Sequence, residues 1–150
     1  MFCLEYKNGN MLKDMNKKDY YVHSCNCIGV WGGGIALQLA HLFPKSYGQH
    51  KKLKKDLGTS HILTADEHKI ACIMTSLGFG SRVAKNDSIA EQTEICIRDL
   101  LEQIEEEEIT IHSPKINAGL FKTPWEKTVE SIKKACESSN KKIKWVVWII

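Results

Sequence analysis

The sequence predicts an α/β protein in which helices cover both faces of a mixed central sheet, a three-layer α/β/α arrangement. Strand-like and helix-like segments alternate along the chain, which is typical of such sheets. Residues 70–75 (IACIMT) are apolar enough to be buried on both faces. A short turn joins residues 60–64 to residues 69–75, which predicts an antiparallel hairpin within the sheet. The length of 150 residues is that of one domain, so we expect a single domain over residues 1–150.

The first half of the chain supplies four strands and two helices. β-branched, aromatic and apolar residues predict strands over residues 2–6, 20–24, 60–64 and 69–75. A glycine-dense turn over residues 29–34 leads into a helix, whose apolar residues keep helical spacing until Pro44 ends the pattern. A second, basic helix is predicted over residues 46–57, with Gly58 at its end.

The second half continues the alternation. A capping box at residues 88–91 (SIAE) begins a long helix whose apolar stripe continues to residue 104. A second capping box at residues 123–126 (TPWE), with Pro124 at the first helical position, begins the last helix. Apolar and β-branched runs predict the two remaining strands, residues 108–112 and 143–150.

Composition and charge exclude several classes of protein. Apolar residues make up 43% of the chain and charged residues 26%, which argues against a disordered or fibrous chain. No apolar run approaches the roughly 18 residues that cross a bilayer, and the first ten residues lack the pattern of a signal peptide. The net charge of +3 comes from lysines on predicted helix faces, so we expect a solvated surface and no direct nucleic-acid binding, with an anionic partner as the alternative. The chain is therefore predicted to be a cytoplasmic monomer that could also enter the nucleus, without membrane association.

The six cysteines are predicted to be reduced thiols rather than disulfides, because no secretory signal precedes them. Residues 23–27 (HSCNC) contain three possible metal ligands. A zinc site needs four donors, usually in paired motifs, and no second ligand pair follows downstream. The sequence thus predicts no metal site and no cofactor. Metal binding by this run, or a redox pair, is the alternative.

A run of three glycines carries the strongest chemical signal. Gly32, Gly33 and Gly34 lead into a helix, where backbone N–H groups without intrahelical partners are also unshielded by side chains. This arrangement is typical of a site for phosphate or diphosphate. It is not a P-loop, because no Lys-Ser/Thr pair follows, and it does not match G-x-G-x-x-G. The alternative is that the glycines only permit tight packing between strand and helix.

Several polar or aromatic residues near this loop are candidates for binding or catalysis. Asn26 ends a buried strand, and its amide could bind the vicinal diol of a sugar or satisfy the backbone of its own loop. Trp31 could flank a ligand or cover the core. His23 and His112 are more readily explained as buried, hydrogen-bonded histidines than as catalytic ones. Ser24 is not a triad nucleophile, because no G-x-S-x-G elbow surrounds it.

Three segments together resemble the signature loops of macro domains: residues 7–12 (KNGNML), 23–36 (HSCNCIGVWGGGIA) and 114–126 (PKINAGLFKTPWE). The glycine triplet alone would be a weak signal. Asn26, the triplet at a fixed distance from it, and the later INAG form a specific combination. The resemblance spans nearly the whole chain and is nearest to the small fungal ADP-ribose 1″-phosphate phosphatases. It implies a three-layer α/β/α macro domain.

The resemblance also implies a pocket for ADP-ribose made of three loops. The adenine would be held by Gly9, Asn10 and Met11, with the Asn10 amide oxygen in the place of an acidic residue that most members carry. The distal ribose and one phosphate would be held by Ser24, Cys25, Asn26, Trp31, Gly32, Gly33, Gly34, Ile35 and Ala36. The diphosphate would be wrapped from the other side by Ile116, Asn117, Ala118, Gly119, Leu120, Phe121 and Lys122.

The implied activity is hydrolysis of ADP-ribose 1″-phosphate, a by-product of tRNA splicing in the family's context, to ADP-ribose and phosphate. Asn26 would orient the distal ribose and the attacking water, and His23 is a candidate for proton transfer. No metal is required. Two alternatives share the pocket: a binding module that recognises ADP-ribose on proteins, and a hydrolase that removes ADP-ribose from acidic side chains.

Departures from the family pattern bear on these alternatives. The macro domains that act on acidic side chains use a lysine and an aspartate, and the corresponding positions here look like Thr75 or Ser76 and Leu120 or Phe121. Some phosphatases carry an aspartate where this chain has Ala36, which leaves the general base open. Binding modules are usually attached to other modules, for which we expect no room here, so the phosphatase is favoured.

Overall fold

The computed structural model of the chain describes residues 1–29, 31, 34–77, 86–118 and 121–149. In these residues the strands are β1 (Phe2–Asn8), β2 (Tyr20–Asn26), β3 (Ser60–Ala65), β4 (His68–Ser76), β5 (Glu108–Ser113) and β6 (Lys142–Ile149). The helices are α1 (Gly34–Leu42), α2 (Pro44–Lys52), α3 (Asn86–Gln103) and α4 (Trp125–Glu137). All six predicted strands are present, with ends that differ by one or two residues. None of the described helices is long and apolar enough to cross a membrane.

The six described strands form one mixed sheet in the order β1-β6-β5-β2-β4-β3, in which β3 runs antiparallel to β4 and the other pairs are parallel. The predicted hairpin is therefore confirmed. Its turn passes through Asp66 (φ 49°) and Glu67 (φ 68°), the left-handed backbone that a tight two-residue hairpin turn requires. Because five strands are parallel, their carboxyl ends meet at one edge, where ligands bind in open α/β sheets.

Alternating side chains divide the core into two parts, one on each face of the sheet. Neighbouring residues of β4 show the alternation, because Ile73 packs toward α3 and α4 while Cys72 belongs to the core beside α1. The first core is mainly aliphatic and includes Val22, whereas the second contains the buried ring of Trp31. The helices on both faces confirm the predicted three-layer α/β/α arrangement with its mixed central sheet.

Helix α2 differs most from its prediction, because it spans Pro44–Lys52 rather than residues 46–57. Pro44 takes the first helical turn, where its missing N–H needs no partner. Leu53 is extended (ψ 149°), which ends the helix. The ammonium of Lys55 then donates to three backbone carbonyl oxygens at this end, at 2.6–3.0 Å. A basic side chain here also faces the negative end of the helix dipole.

Both predicted capping boxes are displaced from the helix starts. Helix α3 includes Asn86, so Ser88 lies within the helix and is not the N-cap. Asparagine is among the residues that favour helix starts, so the earlier start is consistent with the local sequence. At α4 the N-cap is Pro124 (φ −54°, ψ 133°) rather than Thr123. The N–H of Thr123 donates to the Asn117 carbonyl oxygen at 2.8 Å, which holds this residue in the preceding loop.

Candidate functional site

The carboxyl edge of the sheet brings the three predicted loops to one side of the molecule. β1 leads directly to the first loop, β2 to the loop that follows Asn26, and β5 to the INAG segment. Two backbone hydrogen bonds join these loops to neighbouring strands. Gly9 N–H donates to the Ile149 carbonyl oxygen (2.8 Å), and Cys27 N–H donates to that of Ser76 (2.9 Å). Gly9, Asn26 and Asn117 therefore lie at the edge where α/β proteins bind their ligands.

The first loop is shaped by its own backbone. Gly9 has φ 135°, which L side chains rarely adopt, and a Cβ there would lie 3.4 Å from the Trp148 ring. The amide oxygen of Asn10 accepts the Leu12 N–H at 2.9 Å. The oxygen predicted to receive the adenine amino group thus already holds the turn, with one lone pair left. Met11 is buried beneath this turn. The adenine contacts stay a prediction.

Asn26 lies where β2 leaves regular register with β4. Cys25 is opposite Met74, but Asn26 is opposite Ser76, so one residue of β4 is skipped. Asn26 is 7% exposed, and its Oδ1 accepts the Gly29 N–H at 2.9 Å. The alternative interpretation of Asn26, that it satisfies its own loop, is thus present in the structure. The same bond fixes its amide at the sheet edge, and its contact with a ribose stays a prediction.

The glycine triplet lies only partly within the described residues. Gly32 and Gly33 lie outside them, so the anion site predicted there is not described. Gly34 is the first residue of α1, as expected for a loop that opens onto a helix N-terminus. Ile35 and Ala36 follow in the first turn and are partly buried.

Asn117 is the polar centre of the second loop. It is 3% exposed and has φ 66°, a left-handed conformation that asparagine tolerates better than most residues. Its Oδ1 accepts a hydrogen bond from the Thr75 hydroxyl at 2.9 Å. Its Nδ2 donates to the hydroxyls of Thr93 at 2.9 Å and Thr128 at 3.4 Å. One amide therefore connects β4, α3 and α4.

The backbone of Asn117 holds the rest of the loop. Its N–H donates to the Ser24 hydroxyl at 3.2 Å, which adds β2 to the network, and its carbonyl oxygen accepts the Thr123 N–H. Lys122 is exposed with φ 54°. The other described residues of this loop are buried or partly buried: Ile116, Ala118 and Phe121. Gly119 and Leu120 lie outside the described residues, and the predicted diphosphate contacts stay a prediction.

Sequence reasoning missed the threonines around Asn117. Thr93 and Thr128 each sit among apolar residues of a helix stripe, and both are fully buried. A polar residue within an apolar stripe is the signal that could have found them. Thr75 was noticed only as a departure from a lysine, whereas its hydroxyl holds the loop.

His23 and Trp31 lie in the core beneath α1 and α2. His23 is fully buried, with its ring edge-on to Trp31 at 4.9 Å between centroids. Trp31 is 2% exposed, its ring stacks on Tyr47 at 5.1 Å, and its backbone N–H donates to the Tyr47 hydroxyl. Cys25 is buried on the same face. A catalytic role for His23 and a ligand contact for Trp31 stay predictions.

His112 occupies a polar pocket on the part of the sheet beside the first loop. The indole N–H of Trp148 donates to its Nδ1 at 2.9 Å, so Nε2 carries the proton and donates to the Asp19 carboxylate at 2.7 Å. These side chains line a cavity of about 320 Å³ that reaches Asn10 and Met11. The ring of His112 is thus oriented by two partners that the sequence did not indicate.

Comparison with known families identifies this fold. A family model described as the macro domain matches residues 22–132, which include most of β2, the glycine triplet and the Asn117 loop. The chain belongs to the macro domain family. The predicted resemblance to this family is therefore confirmed.

Curated relatives and solved structures agree with this assignment. The ADP-ribose 1″-phosphate phosphatase of Candida glabrata is 30% identical over an alignment 173 residues long, which covers 93% of this chain and 97% of the relative. The enzyme of the same name from Candida albicans is 35% identical over 130 residues, covering 77% and 81%. The macrodomain of Mycobacterium tuberculosis DarG has a TM-score of 0.80 at 18% identity, covering 99% and 98% of the two chains. The predicted macro domain fold is confirmed.

At the positions predicted to match a lysine and an aspartate, this macro domain has neither group among its described residues. Thr75 and Ser76 are fully buried at the end of β4, and Phe121 is a buried apolar residue. The hydroxyl of Thr75 is engaged by Asn117. The described part of the pocket therefore offers no amine for a covalent lysyl intermediate at these positions.

Proposed function

We propose that this macro domain hydrolyses ADP-ribose 1″-phosphate to ADP-ribose and phosphate. The observation that carries the proposal is the match with phosphatases of that name, which extends along most of both chains. The substrate is a small-molecule derivative of ADP-ribose. A cytoplasmic location, with the nucleus as a second compartment, and a monomeric state complete the proposal.

The substrate would lie across the carboxyl edge of the sheet. In this pose the adenine occupies the first loop, and the diphosphate lies between the N-terminus of α1 and the Asn117 loop. A helix N-terminus supplies unpaired N–H groups and the positive end of the helix dipole, both of which favour bound phosphate. The buried network of Asn117 holds the described part of this loop in place before the substrate arrives.

The reaction consumes one water, breaks the bond between the distal ribose and its phosphate, and releases inorganic phosphate. Asn26 orients the distal ribose and the attacking water, because its amide is fixed at the end of β2 by the Gly29 N–H. Catalysis then rests on positioning and on electrostatic stabilisation of the transferring group. His23 remains the candidate for proton transfer, although its ring lies fully buried beneath the Asn26 loop.

Phosphate release from ADP-ribose 1″-phosphate, measured beside a calorimetric titration with ADP-ribose, tests this proposal. We expect release of one phosphate per substrate together with saturable ADP-ribose binding. A simple sugar phosphate such as ribose 5-phosphate should not be hydrolysed, because it cannot occupy the adenine and diphosphate loops.

The same pair of measurements separates the alternatives. Binding without phosphate release would replace the phosphatase by a binding module. Release of ADP-ribose from a glutamate-modified protein, without action on the 1″-phosphate, would favour the hydrolase of acidic side chains. Absence of both binding and turnover would overturn the pocket itself.

A further inference from the structure

Three potential metal ligands meet in the core beneath α1 and α2, apart from the carboxyl edge. His23 and Cys25 come from β2, and Cys72 comes from β4, where it lies directly opposite His23. One ligand atom from each residue lies within 4.8 Å of the others, and all three residues are buried. The strand register therefore supplies a ligand that the HSCNC run lacks.

The distances within this cluster are those of a metal site. His23 Nε2 lies 3.3 Å from Cys72 Sγ and 3.5 Å from Cys25 Sγ. Tetrahedral zinc, with Zn–S bonds of about 2.3 Å and Zn–N bonds of about 2.0–2.1 Å, places adjacent nitrogen and sulfur ligands about 3.5 Å apart. Cys25 Sγ is also 3.6 Å from Nδ1, so it would shift toward the Nε2 side of the ring on binding.

His50, from α2, lies outside this group of three and would turn toward it to supply a fourth donor. It is fully buried, and neither of its ring nitrogens has a hydrogen-bond partner among the described residues. Its ring lies 4.9 Å from that of Trp31, which in turn contacts His23. The imidazole also lies near the Cys72 thiol. A metal ion bound to one of the two nitrogens would give that nitrogen the partner it lacks.

We propose that His23, Cys25, Cys72 and His50 form a buried tetrahedral site for one zinc ion. Two thiolates with two imidazoles are a common ligand set of structural zinc sites. The ion would connect β2, β4 and α2 beneath the loop that Asn26 begins. His23 is then a ligand rather than a proton donor. The proposal therefore excludes the proton-transfer role considered for His23, but it does not depend on whether the chain hydrolyses ADP-ribose 1″-phosphate.

Metal content and cobalt spectroscopy of the untagged chain test the site directly. We expect one zinc per chain after purification without chelators. The metal-free chain titrated with Co²⁺ should develop thiolate-to-cobalt charge transfer and the visible bands of a tetrahedral ion, and added Zn²⁺ should abolish both. Zinc well below one per chain, together with no charge-transfer band, would overturn the proposal without any variant.

Three variants assign the ligands. Cys72→Ala and His50→Phe should each weaken zinc binding at least roughly a hundredfold, because each removes one donor. His50→Phe keeps the volume of the ring, so it serves if Cys72→Ala fails to fold. Cys136→Ala, which removes a buried thiol on the opposite face of the sheet, should bind zinc as the wild type does. Undiminished binding in His50→Phe would exclude the four-ligand site, whatever the phosphatase assay gives.

Discussion

Asn26 and Asn117 are both buried asparagines at the carboxyl edge of the sheet, yet their amide oxygens accept hydrogen bonds from different distances along the chain. Oδ1 of Asn26 accepts the N–H of Gly29, within the turn that follows β2. The Asn117 amide binds across the fold, to Thr75 on β4, Thr93 on α3 and, more weakly, Thr128 on α4. The first bond closes a turn over residues 26–29, and the second amide joins three elements of the domain.

The difference separates two ways of building a binding site. A local hydrogen bond can be removed with limited damage to the fold, so we expect Asn26 to affect chemistry more than stability. A network between distant elements stabilises the whole domain, so we expect Asn117 to affect stability more than chemistry. The comparison predicts opposite outcomes for equivalent substitutions.

The largest expected effect is on turnover in Asn26→Ala. Losing one preorganised polar contact of a catalytic site lowers the rate on the order of 10²–10³-fold. Losing one neutral hydrogen bond in the ground state changes binding by only about 0.5–1.5 kcal/mol. Phosphate release should therefore fall at least roughly tenfold more than ADP-ribose affinity, measured by calorimetry.

Asn26→Ser is the matched control, because a serine hydroxyl can also accept a backbone N–H of the following turn. If Asn26 serves only to hold its loop, the serine variant should recover most of the activity. If turnover and affinity fall together in Asn26→Ala, Asn26 contributes uniform binding and our mechanism is wrong.

The next largest effect should be on the free energy of unfolding in Asn117→Ala. The substitution leaves buried threonine hydroxyls without their amide partner and places alanine at φ 66°. We expect a loss of about 2–3 kcal/mol, measured by urea denaturation. Asn26→Ala should lose clearly less, and equal losses would remove the distinction between the two asparagines.

Asn117→Gly separates the contribution of the backbone conformation to the free energy of unfolding from that of the side-chain amide. Glycine adopts the left-handed conformation freely, whereas alanine does not. The glycine variant should be more stable than the alanine variant by about 0.5–1 kcal/mol, although both lack the amide. Identical unfolding midpoints would show that the amide network accounts for the whole loss.

The smallest effects should distinguish the members of the network. Thr75→Val removes a 2.9 Å hydrogen bond and should lower the free energy of unfolding by about 1 kcal/mol. Thr128→Val removes a contact of 3.4 Å and should lower it by less than about 0.5 kcal/mol. Urea denaturation of the two variants checks the order, and a larger loss for Thr128→Val would contradict the geometry.

Most of the fold could be predicted because strand patterns are local. The apolar run of β4 and the turn before it identify a strand and a hairpin without knowledge of any distant residue. Helix ends were harder to predict, since the end of α2 depends on how the Lys55 ammonium folds back onto backbone carbonyls. Sequence spacing does not show that contact.

The candidate site also has parts that the sequence shows and parts that only the folded structure shows. The Asn26 and INAG loops are continuous motifs, so the sequence shows them directly. The threonines around Asn117 come from elements that are distant in the chain, and only the folded sheet and helices bring them together. The same holds for Cys72 and His50, which is why the HSCNC run alone predicted no metal site.

Gly29 and Lys55 connect the Asn26 loop to the end of a neighbouring helix. Gly29 has φ 87°, which L side chains rarely adopt, and a methyl group there would overlap Cε of the lysine that closes α2. A side chain at position 29 would therefore displace the flexible end of Lys55, whose ammonium holds three carbonyl oxygens at the end of α2. A substitution in the loop after β2 would thus be felt first as a loosening of the end of α2.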